Sequence, residues 1–478
     1  MTDKIKRLEK IALQLEPGRD DRLKTSKKVF DYAENFLQNI DNLPSYNVTD
    51  HKGKAIFNSP ILEEASDIEE LLRLLKENVD TPGLNPASKG HLGYIPGGGI
   101  FNASLGDYLA AITNRYAGVF FASPGAVYME NMLLEWMSSI IGYPTTSGGN
   151  LTSGGSIANL IGIVTARDAY HLKARDLDKT IIYLSEQVHH SVDKAIRIAG
   201  LNECIIRYIP LDQSYRIKPQ ELESIICSDL EAGLNPWLVV ASAGTTDVGA
   251  VDPLLEIASI AENHKLWLHV DAAYGGFFIL CDSGKNILHG LNRSDSIVMD
   301  PHKGLFLPYG SGAVLVKDKK QLLESHHYQA NYMQDALTST DELSPGDLSP
   351  ELSKHFRGLR LWLPLKLHGL APFRAALEEK IQLARYFYEK LQSFERIELG
   401  PYPELSVVTF RFIPKNGDSN EFNKQLVNEI RRDGKVFLSS TMLDGKFIIR
   451  LAVLSFRTHL DTIDLTIDIL KDKLDKLK

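Results

Sequence analysis

The 478-residue chain has only three cysteines, Cys204, Cys227 and Cys281, spaced far apart. That scarcity argues against a disulfide framework or a cysteine-rich metal site, and it suits a reducing setting inside the cell. No apolar run reaches the roughly 18 residues that would mark a membrane-spanning helix. The stretch from Met1 to Gly18 carries charges throughout and lacks the unbroken apolar core of a secretion signal, so a cytoplasmic protein without membrane contact is expected. A basic face is lacking too. The 53 Lys and Arg are interspersed with 61 Asp and Glu for a formal net charge of -8, which argues against a nucleic-acid partner. What is present, 44% hydrophobic and 24% charged residues without repeats or low-complexity segments, is enough to bury a large core in more than one structural unit.

Ile5, Leu8, Ala12 and Leu15 fall at helical spacing before Pro17-Gly18, which predicts an opening amphipathic helix whose apolar stripe would suit a partner subunit. A second helical stretch, Ile68 to Lys76, ends in turn-rich sequence, and a first boundary is expected near residue 90. Beyond it, helix-like stretches alternate with short apolar strands at 180–184, 237–243, 266–270, 296–299 and 312–316. That alternation predicts an α/β domain with a mainly parallel sheet covered on both faces and chemistry at the strand ends. One long helix over 361–391 should lead into strands at 405–412 and 446–453 and a closing helix that carries Ile463, Ile467, Leu470, Leu474 and Leu477. The expected organisation is a helical arm at 1–90, a large α/β domain at 91–365 and a small α+β domain at 366–478.

Five short motifs sit where those strands end. Lys303 lies in Asp300-Pro301-His302-Lys303-Gly304; a lysine in a cleft can attack a carbonyl and form an imine, although a lone lysine is ordinarily a surface residue. Asp271 closes an apolar strand in Val270-Asp271-Ala272-Ala273. It either caps a helix or pairs with the protonated ring nitrogen of pyridoxal phosphate, which the small Ala272-Ala273 would let lie close to the backbone. Gly154, Gly155 and Ser156 open a helical run as a simple cap or as a phosphate site. His189 and His190 form a pair whose side chains are expected to diverge, so a metal is not expected there and a ring stacked on a flat cofactor fits better. Thr246, in Ala243-Gly244-Thr245-Thr246, offers a hydroxyl. Together, and in the chain order glycine loop, histidine, threonine, aspartate, lysine, the five point to pyridoxal phosphate.

Residues 152–160, 188–191, 270–276 and 300–304, with Ala122-Ser123-Pro124-Gly125, Glu130 and the run from Phe356 to Trp362, resemble the group II pyridoxal-phosphate decarboxylases. That family includes the aromatic-amino-acid, histidine and glutamate decarboxylases. The resemblance implies the aspartate-aminotransferase-type fold (fold type I), an obligate homodimer with active sites at the subunit interface, and a small-molecule amino-acid substrate. It makes Lys303 the Schiff-base lysine, Asp271 the partner of the ring nitrogen and His189 the stacked residue, with His302 and Thr246 in support. The phosphate would be held by Gly154, Gly155 and Ser156. At position 300 family members often carry Asn; Asp300 cannot donate to a phosphate and is expected to orient backbone groups instead.

The implied reaction is decarboxylation to an amine and carbon dioxide, with a loop tyrosine returning a proton to the α-carbon. Tyr332 is the candidate and Tyr328 its competitor. An aromatic substrate is favoured over an acidic or other polar one, with Tyr94, Ile95, Pro96, Tyr116 and Phe120 as candidate walls. The alternatives are another enzyme of the same fold, namely an aminotransferase, a lyase or a decarboxylating aldehyde synthase, and a non-catalytic cofactor-binding dimer.

Overall fold

The computed structural model describes residues 1–328 and 343–477. They divide into two units, Met1–His91 with Arg431–Phe437, and Leu92–Ile430 with Leu438–Lys478. In the first unit the Thr2–Ala12 helix forms as its spacing predicts, tightens into a turn at Leu13–Leu15 and stops before Pro17-Gly18. Neither it nor the following Arg19–Asn39 helix buries a residue. Ile5, Leu8 and Ile11 are each more than half exposed.

The second unit is built on a seven-stranded sheet in the order Gly148–Thr152, Gly312–Val316, Ser296–Met299, Trp267–Asp271, Asn235–Ser242, Thr180–Leu184 and Ile205–Tyr208. Gly312–Val316 runs antiparallel to both of its neighbours, and every other pairing is parallel. Six strands therefore point the same way. Their carboxyl ends share one edge with the start of the Gly312–Val316 strand, which is why motifs far apart in sequence meet there.

Both faces of this sheet are covered, so most of its strands are apolar rather than alternating. Ile181, Val239, Ala241, Leu268 and Val270 pack on one face with Leu133, Met137 and Phe277. Ile182, Leu238, Val240 and Val298 pack on the other against Ala158, Ile161 and Ala166 of the Gly155–Ala169 helix. Burying each large aliphatic side chain contributes about 1.5–3 kcal/mol. A scaffold of that strength can hold polar side chains at its rim without yielding.

A separate antiparallel sheet, in the order Ile397–Leu399, Val407–Phe412, Lys446–Ala452 and Ser439–Leu443, lies later in the chain. The single helix expected over 361–391 is two helices, Arg357–His368 and Ala371–Leu391. Gly369, at φ 67°, ends the first, and Pro372 fits the first turn of the second, where its missing N–H costs nothing.

Candidate active site

A cavity of about 390 Å³ opens at the shared strand edge, and all the motif residues predicted for the cofactor that fall within the described chain line it: Gly154, Gly155, Ser156, His189, Thr246, Asp271, Ala273, Asp300, His302 and Lys303. Lys303 is carried on the short helix Pro301–Gly304, which begins directly after the Ser296–Met299 strand with Pro301 in its first turn. Its Nζ stands 3.1 Å from Asp300 Oδ2.

Asp271 is the last residue of its strand, and both of its oxygens are held. The Ala273 N–H donates to Oδ1 at 3.1 Å and Asn159 Nδ2 donates to Oδ2 at 2.9 Å. Asn159, on the Gly155–Ala169 helix, is itself fixed by a buried chain of hydrogen bonds. Trp267 Nε1 donates to Ser296 Oγ at 2.9 Å, Ser296 Oγ donates to His269 Nδ1 at 2.7 Å, and His269 Nε2 donates to Asn159 Oδ1 at 2.8 Å. Burial pushes the His269 imidazole down to about 4, so the ring stays neutral and keeps one donor and one acceptor. Gly162 makes room for it, because a Cβ there would lie 2.6 Å from His269 Cε1.

The same Asn159 Nδ2 donates to Ser191 Oγ at 3.0 Å, and that hydroxyl meets His189 Nδ1 at 2.7 Å. The Ser191 N–H also donates to His189 Nδ1, so His189 caps the His190–Ile198 helix. Its orientation is thereby fixed, and burial lowers its pKa, favouring the neutral ring. One asparagine thus aligns the two groups assigned to the ring nitrogen and the ring face. Asn159→Ala should leave the His269 donor buried without a partner and cost about 1–3 kcal/mol of stability. Denaturant unfolding of Asn159→Ala beside the parent measures that loss.

Gly154 and Gly155 stand at the start of a 15-residue helix whose first N–H groups have no partners within the helix and whose dipole favours an anion. The loop lies tight against its neighbours: a Cβ at Gly155 would come 2.9 Å from Asp300 Oδ2, and one at Gly312 would come 2.6 Å from the Gly154 backbone. Thr246 is steadied from below by Arg450, a buried residue whose guanidinium donates to the Thr246 carbonyl and, at 2.7 Å, to that of Asp247. His302 Nδ1 donates to the Ser311 carbonyl at 2.5 Å, and burial lowers its pKa as well.

Two expectations are corrected by the geometry. Asp300 orients no backbone group through its side chain, which caps nothing and instead faces Lys303. The His189 and His190 rings do not diverge; their centroids are 4.0 Å apart. Among the described residues no group of three His, Cys, Asp or Glu side chains is placed to hold a metal ion. Tyr332 lies outside the described residues, and Tyr328 is 86% exposed. Tyr94, Ile95, Pro96, Tyr116 and Phe120 do not line the cavity, whereas Tyr309, 5.7 Å from the His302 ring, does. Asn159, His269 and Ser191 were missed in the sequence. The only signal for them was polarity inside otherwise apolar segments.

A neutral imidazole, a fixed carboxylate, an amine and a helix start suited to an anion, all lining one cavity, are together the donor set that pyridoxal phosphate requires. Comparison with known proteins agrees. The family described as "Pyridoxal-dependent decarboxylase conserved domain" matches residues 53–413. The chain is 36% identical over 403 residues to an aromatic-L-amino-acid decarboxylase from Bacillus atrophaeus, covering 83% of this chain and 84% of that one. It is 31% identical over 428 residues to a phenylacetaldehyde synthase from Petunia hybrida, covering 85% and 84%. The Oryza sativa TDC structure with PLP and tryptamine superposes with a TM-score of 0.90 at 26% identity, over 97% of this chain and 99% of that one. The fold is that of the fold-type-I pyridoxal-phosphate enzymes. The chain belongs to the pyridoxal-dependent decarboxylase family and is an amino-acid carboxy-lyase with pyridoxal 5'-phosphate as its cofactor.

Proposed function

We propose that the chain decarboxylates an L-amino acid with an aromatic side chain and releases the amine, with Lys303 as the covalent anchor of the cofactor. The observation that carries this reading is the convergence of Lys303, Asp271 and His189 in one cavity beside the start of the Gly155–Ala169 helix. The bound cofactor supplies an electron sink for the bond broken at the α-carbon.

The protein's own groups divide the remaining work. Lys303 Nζ would hold the cofactor through its amine. Asp271, pinned by Asn159 and the Ala273 N–H, keeps a proton on the ring nitrogen. His189, in an orientation set by Ser191, would cover the face of the cofactor ring. Gly154, Gly155 and Ser156 take the phosphate through backbone N–H groups and a hydroxyl. Tyr309 offers an aromatic wall beside His302. Tyr332 returns the proton to the α-carbon. The working form is a cytoplasmic homodimer, for which the exposed Ile5, Leu8 and Ile11 provide an apolar arm.

The aromatic preference is supported by the Bacillus atrophaeus relative. The Petunia hybrida relative supports a second reading, in which the product is an aldehyde. The two readings are separated by product analysis with L-tryptophan, L-tyrosine, L-phenylalanine and dihydroxyphenylalanine. The expected result is one amine per carbon dioxide. Aldehyde with oxygen consumption in the parent enzyme would select the second reading. In Tyr332→Phe, carbon dioxide release should persist while the amine falls on the order of tenfold or more, as expected when a positioned proton donor is lost, and aldehyde appears. Unchanged products would move the donor role to another residue.

A further inference from the structure

Asp300 is 1% exposed, yet only one of its carboxylate oxygens is satisfied. Oδ2 lies 3.1 Å from Lys303 Nζ and 3.9 Å from His302 Nε2, whereas Oδ1 has no hydrogen-bond partner among the described residues. Both oxygens lie against the glycine loop: a Cβ on Gly155 would come 2.9 Å from Oδ2 and 3.4 Å from Oδ1, and one on Gly312, which itself abuts Gly154, would come 2.7 Å from Oδ1. The loop is the start of the Gly155–Ala169 helix, whose free N–H groups and dipole attract an anion. A carboxylate is an acceptor only, so it gives a phosphate no hydrogen bond and repels its charge. Two unit charges about 5 Å apart in a partly buried site alter an equilibrium by roughly tenfold or more.

We propose that Asp300 weakens the hold of this chain on the phosphate of its cofactor, so that pyridoxal phosphate loads reversibly and the active fraction follows cofactor supply. The carboxylate acts in two ways. It opposes the phosphate directly, and it occupies the Lys303 ammonium that would otherwise attract it. The proposal rests on the reading that Gly154, Gly155 and Ser156 take the phosphate.

The test compares pyridoxamine phosphate with pyridoxamine, neither of which can form a C=N bond with Lys303. The ratio of their dissociation constants isolates the phosphate. Both are titrated into the full-length cofactor-free protein, followed by calorimetry, for the parent, Asp300→Asn, Asp300→Ser and Ser156→Ala. Asp300→Asn and Asp300→Ser should raise the phosphate contribution about tenfold or more, while Ser156→Ala lowers it. If Ser156→Ala lowers the ratio and both Asp300 variants leave it unchanged or reduced, the role of Asp300 is overturned. If Ser156→Ala has no effect either, the phosphate assignment itself fails, and the proposal with it. Thermal unfolding of each variant confirms that the protein titrated is folded.

Discussion

Lys303→Ala is expected to lower amino-acid decarboxylation on the order of a thousandfold or more, because the amine proposed to anchor the cofactor has no substitute among the described residues that line the cavity. The side chains around it are acidic, neutral or aromatic: Asp300 at 3.1 Å, His302 behind it and Tyr309 on the wall. None can form the same bond. The alanine variant also leaves Asp300 buried without its cation, so part of its loss could come from instability. Lys303→Gln separates the two effects, since the amide still donates to Asp300 Oδ2 but carries no nucleophilic amine. Both variants should lose activity alike. Only the alanine variant should also unfold at lower denaturant. Activity in Lys303→Gln within tenfold of the parent would remove Lys303 from its role.

Asp271→Asn is expected to lower kcat by about 10²–10³, the usual effect of removing a preorganised electrostatic contact. The carboxylate is held at both oxygens, by the Ala273 N–H and by Asn159 Nδ2, so its charge has little freedom to move away from the place proposed for the ring nitrogen. An amide at this position keeps the shape and one acceptor but loses the charge that favours a protonated ring. Cofactor binding should weaken far less than kcat falls, because the phosphate loop and Lys303 are untouched. A change confined to KM, with kcat preserved, would show that Asp271 binds substrate rather than tuning the cofactor.

The large sheet was legible because its strands are buried on both faces and so read as unbroken apolar runs; Thr180–Leu184, Ser296–Met299 and Gly312–Val316 fall where the pattern puts them. The Gly148–Thr152 strand was not anticipated. Its sequence, Gly-Gly-Asn-Leu-Thr, has little β-propensity, and its place is set by pairing with Gly312–Val316, a contact remote in sequence. The helix over 361–391 was read as continuous because apolar residues recur on both sides of Gly369, while the break depends on that residue's backbone angle. At the site, the residues assigned to the cofactor were readable because most follow a legible strand and lie beside small residues. The residues that hold them were not. Asn159 reaches Asp271 and His269 across 112 and 110 positions, and nothing in a helix-periodic segment announces such a partner. His269 and Ser296 are adjacent only through strand register. Tyr309, too, enters the cavity because Gly312–Val316 begins at the same edge at which the parallel strands end.

The most direct measurement is borohydride reduction of the cofactor-loaded protein followed by peptide mapping by mass spectrometry. The account predicts one reduced pyridoxyl adduct, on the peptide containing Lys303, that disappears when an aromatic amino-acid substrate is added before the reductant. An adduct on a different lysine, or none at stoichiometric cofactor, would contradict it.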